Sequence, residues 1–97
     1  YFFSGVFVVN GLPHFLQGIS GTPFQSPFAS PPGVGESSPV VNVVWGTVNF
    51  LVGYALLAYA DFFKIGMNAA TLVWITGGFS IAIILAVHFG KVRSAQR

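Results

Sequence analysis

Two long stretches without a formal charge limit what this chain can become. Pro39 to Ala60 runs 22 residues, and Asn68 to Gly90 runs 23 residues, with no Asp, Glu, Lys or Arg in either. A helix of that length measures about 33 Å, enough to cross a hydrocarbon layer of about 30 Å. Tyr1 to Gly18 adds a third apolar stretch, interrupted by Asn10, Pro13 and His14. A cleaved leader would carry a basic start and a small-x-small cleavage site. Tyr1 to Gly11 holds no base, so this stretch too is expected to be a genuine helix. Composition agrees: 6% of residues are charged and 54% hydrophobic, and the mean hydropathy is +0.75. Soluble domains carry roughly 25% charged residues. Two acids and four bases cannot coat a water-facing surface of this size, which excludes a soluble globular domain, a disordered chain and a nucleic-acid binder. The absence of cysteine excludes disulfides, thiolate metal sites and cysteine nucleophiles.

The expected fold is all-α: a single membrane domain over residues 1–97 with three transmembrane helices. The helices fall at about 1–18, 39–60 and 68–90, joined by a Pro/Phe-rich interfacial loop at 19–38 and a turn at 61–67, with a basic tail at 91–97. Ser38-Pro39 reads as an N-cap followed by a first-turn proline, and Asn68 as the N-cap of the third helix. Gly90 should end that helix, with Lys91, Arg93 and Arg97 beyond it. Pro13 deprives the carbonyl near Val9 of its partner and should kink the first helix. Counting Lys and Arg places the tail and the 19–38 loop on the cytoplasmic side, and Tyr1 with the short turn outside. Tyr1, Tyr59, Phe62 and Phe63 then fall near the outer interface and Trp45 near the inner one.

Within the loop, Pro23-Phe24-Gln25-Ser26 is followed at once by Pro27-Phe28-Ala29-Ser30, and Pro31-Pro32 continues the series. Proline at this density favours polyproline II or turns over helix. Phe24 and Phe28 are costly to leave in water. Three readings stay open: an interfacial loop on lipid headgroups, a docking arm for a larger partner built on Phe24, Phe28, Pro31 and Pro32, or a PxxP-type ligand.

Lipid gives helices no hydrophobic reason to associate, so small and polar residues mark their contact faces. Asn42, Gly46, Asn49, Gly53, Leu56 and Ala60 follow alternating spacings of four and three in the second helix. Gly78, Ala82 and Ala86 repeat every four in the third, while Ser4, Phe7, Gly11, His14 and Gly18 line one face of the first. These are expected packing faces. Asn42 and Asn49 would specify register, or would line a path between copies. Asp61, three residues before Lys64, is expected to form a surface ion pair of little energetic weight.

His14 and His88 alone carry obvious ligand chemistry, and the topology puts both near the inner interface. Either they simply reach toward water, or they ligate a haem or a chlorophyll-type magnesium, or they relay a proton. No haem-attachment motif, phosphate-binding glycine loop, paired carboxylates or nucleophile elbow is present. No enzyme is expected, and no metal site.

Leu12-Pro13-His14-Phe15, Pro27-Phe28-Ala29-Ser30-Pro31-Pro32-Gly33 and Asn42-Val43-Val44-Trp45-Gly46 together resemble small uncharacterised bacterial integral membrane proteins over about the first half of the chain. The resemblance implies a bacterial inner or intracytoplasmic membrane and no particular activity. Three helices of this size do not enclose a drug-sized cavity of about 300–1,000 Å³. The expected role is therefore a non-catalytic accessory subunit of a larger respiratory or photosynthetic membrane complex, serving assembly, stability or lipid and quinone access. The alternatives are a homo-oligomeric channel or transporter and a cofactor-binding protein. Expected partners are larger membrane subunits and lipid.

Overall fold

The computed structural model describes residues 1–60 and 68–95. They form three helices, α1 (Phe2–Ile19), α2 (Pro39–Tyr59) and α3 (Ala69–Ala95), each long and apolar enough to cross a membrane. The expected 61–67 turn, the Asp61–Lys64 pair, Phe62, Phe63 and Arg97 lie outside the described residues. α1 is the middle element: α2 and α3 both pack against it rather than extensively against each other.

Local chemistry sets most of the helix ends. The Ser38 hydroxyl accepts from the Val41 N–H at 3.2 Å, and Pro39 opens α2. The Asn68 carboxamide oxygen accepts from the Thr71 N–H at 2.9 Å and starts α3. α1 runs from Phe2 to Ile19 with Pro13 inside it. One expectation about helix ends needs correction. α3 passes through Gly90 to Ala95, so the first part of the basic tail is helical. A mid-helix glycine costs only about 1 kcal/mol. At Gly90 no neighbour lies close enough to force a turn, and Lys91 and Arg93 are good helix formers.

The interior inverts that of a soluble protein. Among the described residues the buried large apolar side chains are Phe24 and Val92, whereas Ser4, His14, Gln25, Ser26, Asn42, Asn49 and Thr71 are all buried. Most of the exposed large side chains of the three helices are leucines, isoleucines and valines. Glycine makes the close contacts possible. A Cβ on Gly46 would lie 2.8 Å from the Phe15 backbone nitrogen, and one on Gly11 would lie 2.7 Å from the Gly46 carbonyl oxygen. Gly18 meets Pro39 and Val43, and Gly53 meets Ser4 and Val8, in the same way. On the other side of α1, Gly5 and Phe2 fit against Trp74, Gly77 and Gly78 of α3.

Gly11, Asn42, Gly46, Asn49, Gly53 and Gly78 are thus packing residues, but Ala82 and Ala86 are exposed. The physical reason is angular. Each step of four advances about 40° around a helix, so small residues every four drift off the inward face, and Ala82 is already exposed one step beyond Gly78. The inward line of α3 is instead Thr71, Gly78, Leu85 and Val92, a spacing of seven.

The segment between α1 and α2 is not a loose loop. Phe24–Gln25 (β1) pairs antiparallel with Glu36–Ser37 (β2), in register Phe24 with Ser37 and Gln25 with Glu36. Between them, the Gly33 N–H donates to the Ser26 carbonyl at 2.8 Å, and the Gly35 N–H to the Pro31 carbonyl at 2.8 Å. Gly33 has φ +74°, which favours glycine. The Ser30–Pro31 peptide is cis. This small hairpin closes one end of the helices, the end holding the C-termini of α1 and α3 and the N-terminus of α2.

Candidate functional site

Three polar residues of the apolar helices, His14, Asn42 and His88, come together beneath that hairpin. Asn42, in the first turns of α2, is fully buried. Its Nδ2 donates to the carbonyls of Phe24 at 3.1 Å, Ser37 at 3.1 Å and Ser38 at 3.2 Å. One amide therefore ties both strands of the hairpin to α2. Because Nδ2 faces three carbonyls, the remaining atom, Oδ1, is the acceptor, and it lies 2.9 Å from His14 Nδ1. His14 must donate from Nδ1, which leaves Nε2 as a lone-pair acceptor.

The same logic applies one turn and two turns away. Asn49 Nδ2 donates to the Trp45 carbonyl at 2.9 Å, so its Oδ1 accepts from Asn10 Nδ2 at 2.9 Å. The Oδ1 of Asn10 is left as an acceptor. On α3, His88 Nε2 lies 2.6 Å from the Gly33 carbonyl oxygen, which can only accept. His88 accordingly donates from Nε2.

Aromatic rings fill the space around these groups. Phe24 stacks edge-on against His14 at 5.4 Å and Phe89 at 4.8 Å between centroids, and the Arg93 guanidinium sits 5.3 Å from its ring centre. Trp45 contacts His14 at 6.5 Å and Phe28 at 5.0 Å. Phe24 is therefore 4% exposed and belongs to the chain's own interior, not to an arm reaching for a partner. Its correction has a simple cause: the ring escapes water by folding back on its own helices. Phe28, Pro31 and Pro32 remain exposed.

A cavity of about 230 Å³ lies here, walled by Trp45, Leu85, Phe89 and Pro27 and edged by Asn10, His14, Gln25, Ser26 and His88. No acid lines it. Gln25 is 1% exposed, and both its Nε2 and its Oε1 are buried without a hydrogen-bond partner. An unmade amide bond of this kind costs about 1–3 kcal/mol. Sequence reasoning singled out His14 and His88 and missed Gln25, because nothing in the local sequence shows that the hairpin turns this side chain inward.

The two histidines edge the same open pocket of about 230 Å³. Asn42 and Asn49 face α1 and the hairpin, so they supply no lining for a pore between copies. No family model, no curated protein and no solved structure matches the chain.

Proposed function

We propose that this chain is a non-catalytic accessory subunit of a larger membrane complex. It would cross the membrane three times, with the hairpin and the α3 C-terminus on the cytoplasmic side. The bacterial inner or intracytoplasmic membrane is the setting to which the resemblance points; that the complex is respiratory or photosynthetic is part of this proposal and not of the resemblance. One observation carries the reading. Beside the α1–α3 contact lies a groove of about 320 Å³, bounded by Gly5, Val9, Trp74, Ile75, Gly78, Phe79 and Ala82. Its apolar walls offer no reacting group, and the small, exposed Ala82 on its wall lets another backbone come close, which is the way helices associate in lipid. The polar side chains that could have done chemistry along α1 and α2 are instead bonded within the chain.

Mass measurement of the complex extracted in mild detergent tests this. The expected result is a discrete stoichiometric assembly of the chain with a different membrane subunit. Ala82→Leu fills the groove without touching the chain's own contacts, and should reduce that assembly at least about tenfold. A folded monomer, or a symmetric oligomer of this chain alone, would overturn the proposal.

A further inference from the structure

The turns between β1 and β2 leave few hydrogen-bond donors for a solvent to satisfy. Within residues 26–35, Pro27, Pro31 and Pro32 carry no N–H. The N–H groups of Ser26, Ala29, Gly33, Val34 and Gly35 donate to carbonyls of the same segment, and that of Phe28 donates to Ser26 Oγ at 3.1 Å. The Ser30 N–H has no acceptor among the described residues, and Ser30 is exposed. The carbonyls of residues 27–30 likewise accept from nothing among the described residues, so one edge of the turn still needs water. A polyproline ligand keeps its backbone open and solvated, whereas this one is folded on itself.

Helix lengths set the depth of the segment. α1 has 18 residues and measures about 27 Å, and α2 has 21 and measures about 32 Å, against a hydrocarbon layer of about 30 Å. Neither has length to spare, so their ends at the hairpin lie at the hydrocarbon boundary. The hairpin folds back past those ends. Phe28 meets Trp45, well inside the Pro39 start of α2, and the Gly33 carbonyl meets His88, which precedes Lys91, the first base of α3. Side chains on a helix tilt toward its N-terminus, which brings the Trp45 ring part of the way back toward the boundary. Phe28 therefore lies a short way beneath it.

Phe28 is nevertheless 64% exposed. Val41 and Val48, which share the Trp45 side of α2 by spacings of four and three, are exposed too, so the ring is continuous with the apolar surface of that helix. Charge matches a phospholipid surface: this end carries Lys91 and Arg93 against Glu36, the only acid among the described residues.

We infer that the hairpin tip is a wedge in a phospholipid leaflet. Phe28 occupies the top of the acyl layer, Ser30 and the free carbonyls lie in the hydrated headgroup layer, and Lys91 and Arg93 lie at the level of the phosphates. The prolines serve this position by deleting donors that lipid could not satisfy. Lipid, not a protein, covers the exposed face of Phe28. The inference rests on the membrane crossings of the proposed reading and not on the accessory role.

The sequence has no cysteine, so a nitroxide can be attached at one chosen position. The test places the full chain in vesicles of phosphatidylcholine and phosphatidylglycerol, labelled at Phe28→Cys, at Ser30→Cys, or at Val44→Cys as an exposed reference on α2. Electron paramagnetic resonance then compares collisions with oxygen, which concentrates in the acyl layer, and with a water-soluble nickel chelate. The expected oxygen-to-nickel ratio at position 28 matches that at 44 and exceeds that at 30 at least about fivefold. If Phe28→Cys does not fold, broadening of the Phe28 ring signals by a lipid with a nitroxide high on its chain, against a water-soluble gadolinium chelate, decides on the unaltered ring. Equal ratios at 28 and 30 would overturn the inference. So would shielding of position 28 from both reagents in the assembly extracted with its own lipid, since a protein would then cover it. Either result leaves the accessory proposal standing, whereas a monomeric mass with position 28 at lipid depth removes that proposal and keeps this one.

Discussion

The two contacts that α1 makes are built differently. Toward α2 it carries hydrogen bonds at three heights: the Ser4 hydroxyl donates to the Gly53 carbonyl at 2.8 Å, Asn10 bonds Asn49, and His14 bonds Asn42. Toward α3 the helices meet through glycine backbones at Gly5, Gly77 and Gly78, joined by the Trp74 indole N–H to Ser4 Oγ at 3.2 Å. Hydrogen bonds fix register but add little in lipid, averaging roughly 0.6 kcal/mol, whereas close backbone approach supplies dispersion without specifying much. The first contact therefore holds the hairpin and the cavity in place. The second leaves the apolar groove beside it open.

The largest expected effect is at the glycines. Gly46→Leu should cost about 1–3 kcal/mol or more by overpacking, and should loosen α1, α2 and the hairpin together. Gly77→Leu should cost a similar amount yet release α3 while hydrogen-exchange protection across α1 and α2 persists. Equal loss of protection in both variants would erase the distinction between the contacts.

Asn42→Leu comes next, at about 1–3 kcal/mol, since it removes the donor from three carbonyls and the acceptor from His14. Thermal unfolding in detergent should show the loss, and exchange should rise first in residues 24–37. Ser4→Ala, which cuts one link to each neighbouring helix, should cost about 1 kcal/mol, and Asn10→Leu about 0.6 kcal/mol. An Asn10 effect as large as that of Asn42 would mean that the hairpin adds nothing to the α1–α2 contact.

These contrasts also mark what the sequence could disclose. Helix existence was readable because charge-free length is a property of a contiguous stretch, and the bounds of α2, expected at 39–60 and found at Pro39–Tyr59, followed from the Ser38-Pro39 start. Gly11, Gly46 and Gly53 were readable because a helix face repeats locally. The α3 face was misjudged by following every fourth residue to Ala86 rather than every seventh to Val92. The hairpin was not readable at all. Its four strand residues pair across a span of proline-rich turns, and the energy that selects the pairing comes from Phe24 meeting His14 and Phe89, which are distant in sequence. The candidate site followed suit: both histidines were visible, but the bond that fixes the His14 tautomer and the orphaned Gln25 amide exist only once the hairpin has closed.

The account rests on a chain whose polar groups face inward and whose apolar surface faces lipid, crossed three times. The sequence has no cysteine, so single cysteines report cleanly on sidedness. Ser30→Cys, Ser94→Cys and Tyr59→Cys, all at exposed positions, should be treated with a membrane-impermeant thiol reagent in sealed vesicles of both orientations. The account predicts that positions 30 and 94 label only from the cytoplasmic face and position 59 only from the opposite one. Labelling of 30 and 94 from opposite faces, or of all three from one face, would contradict it.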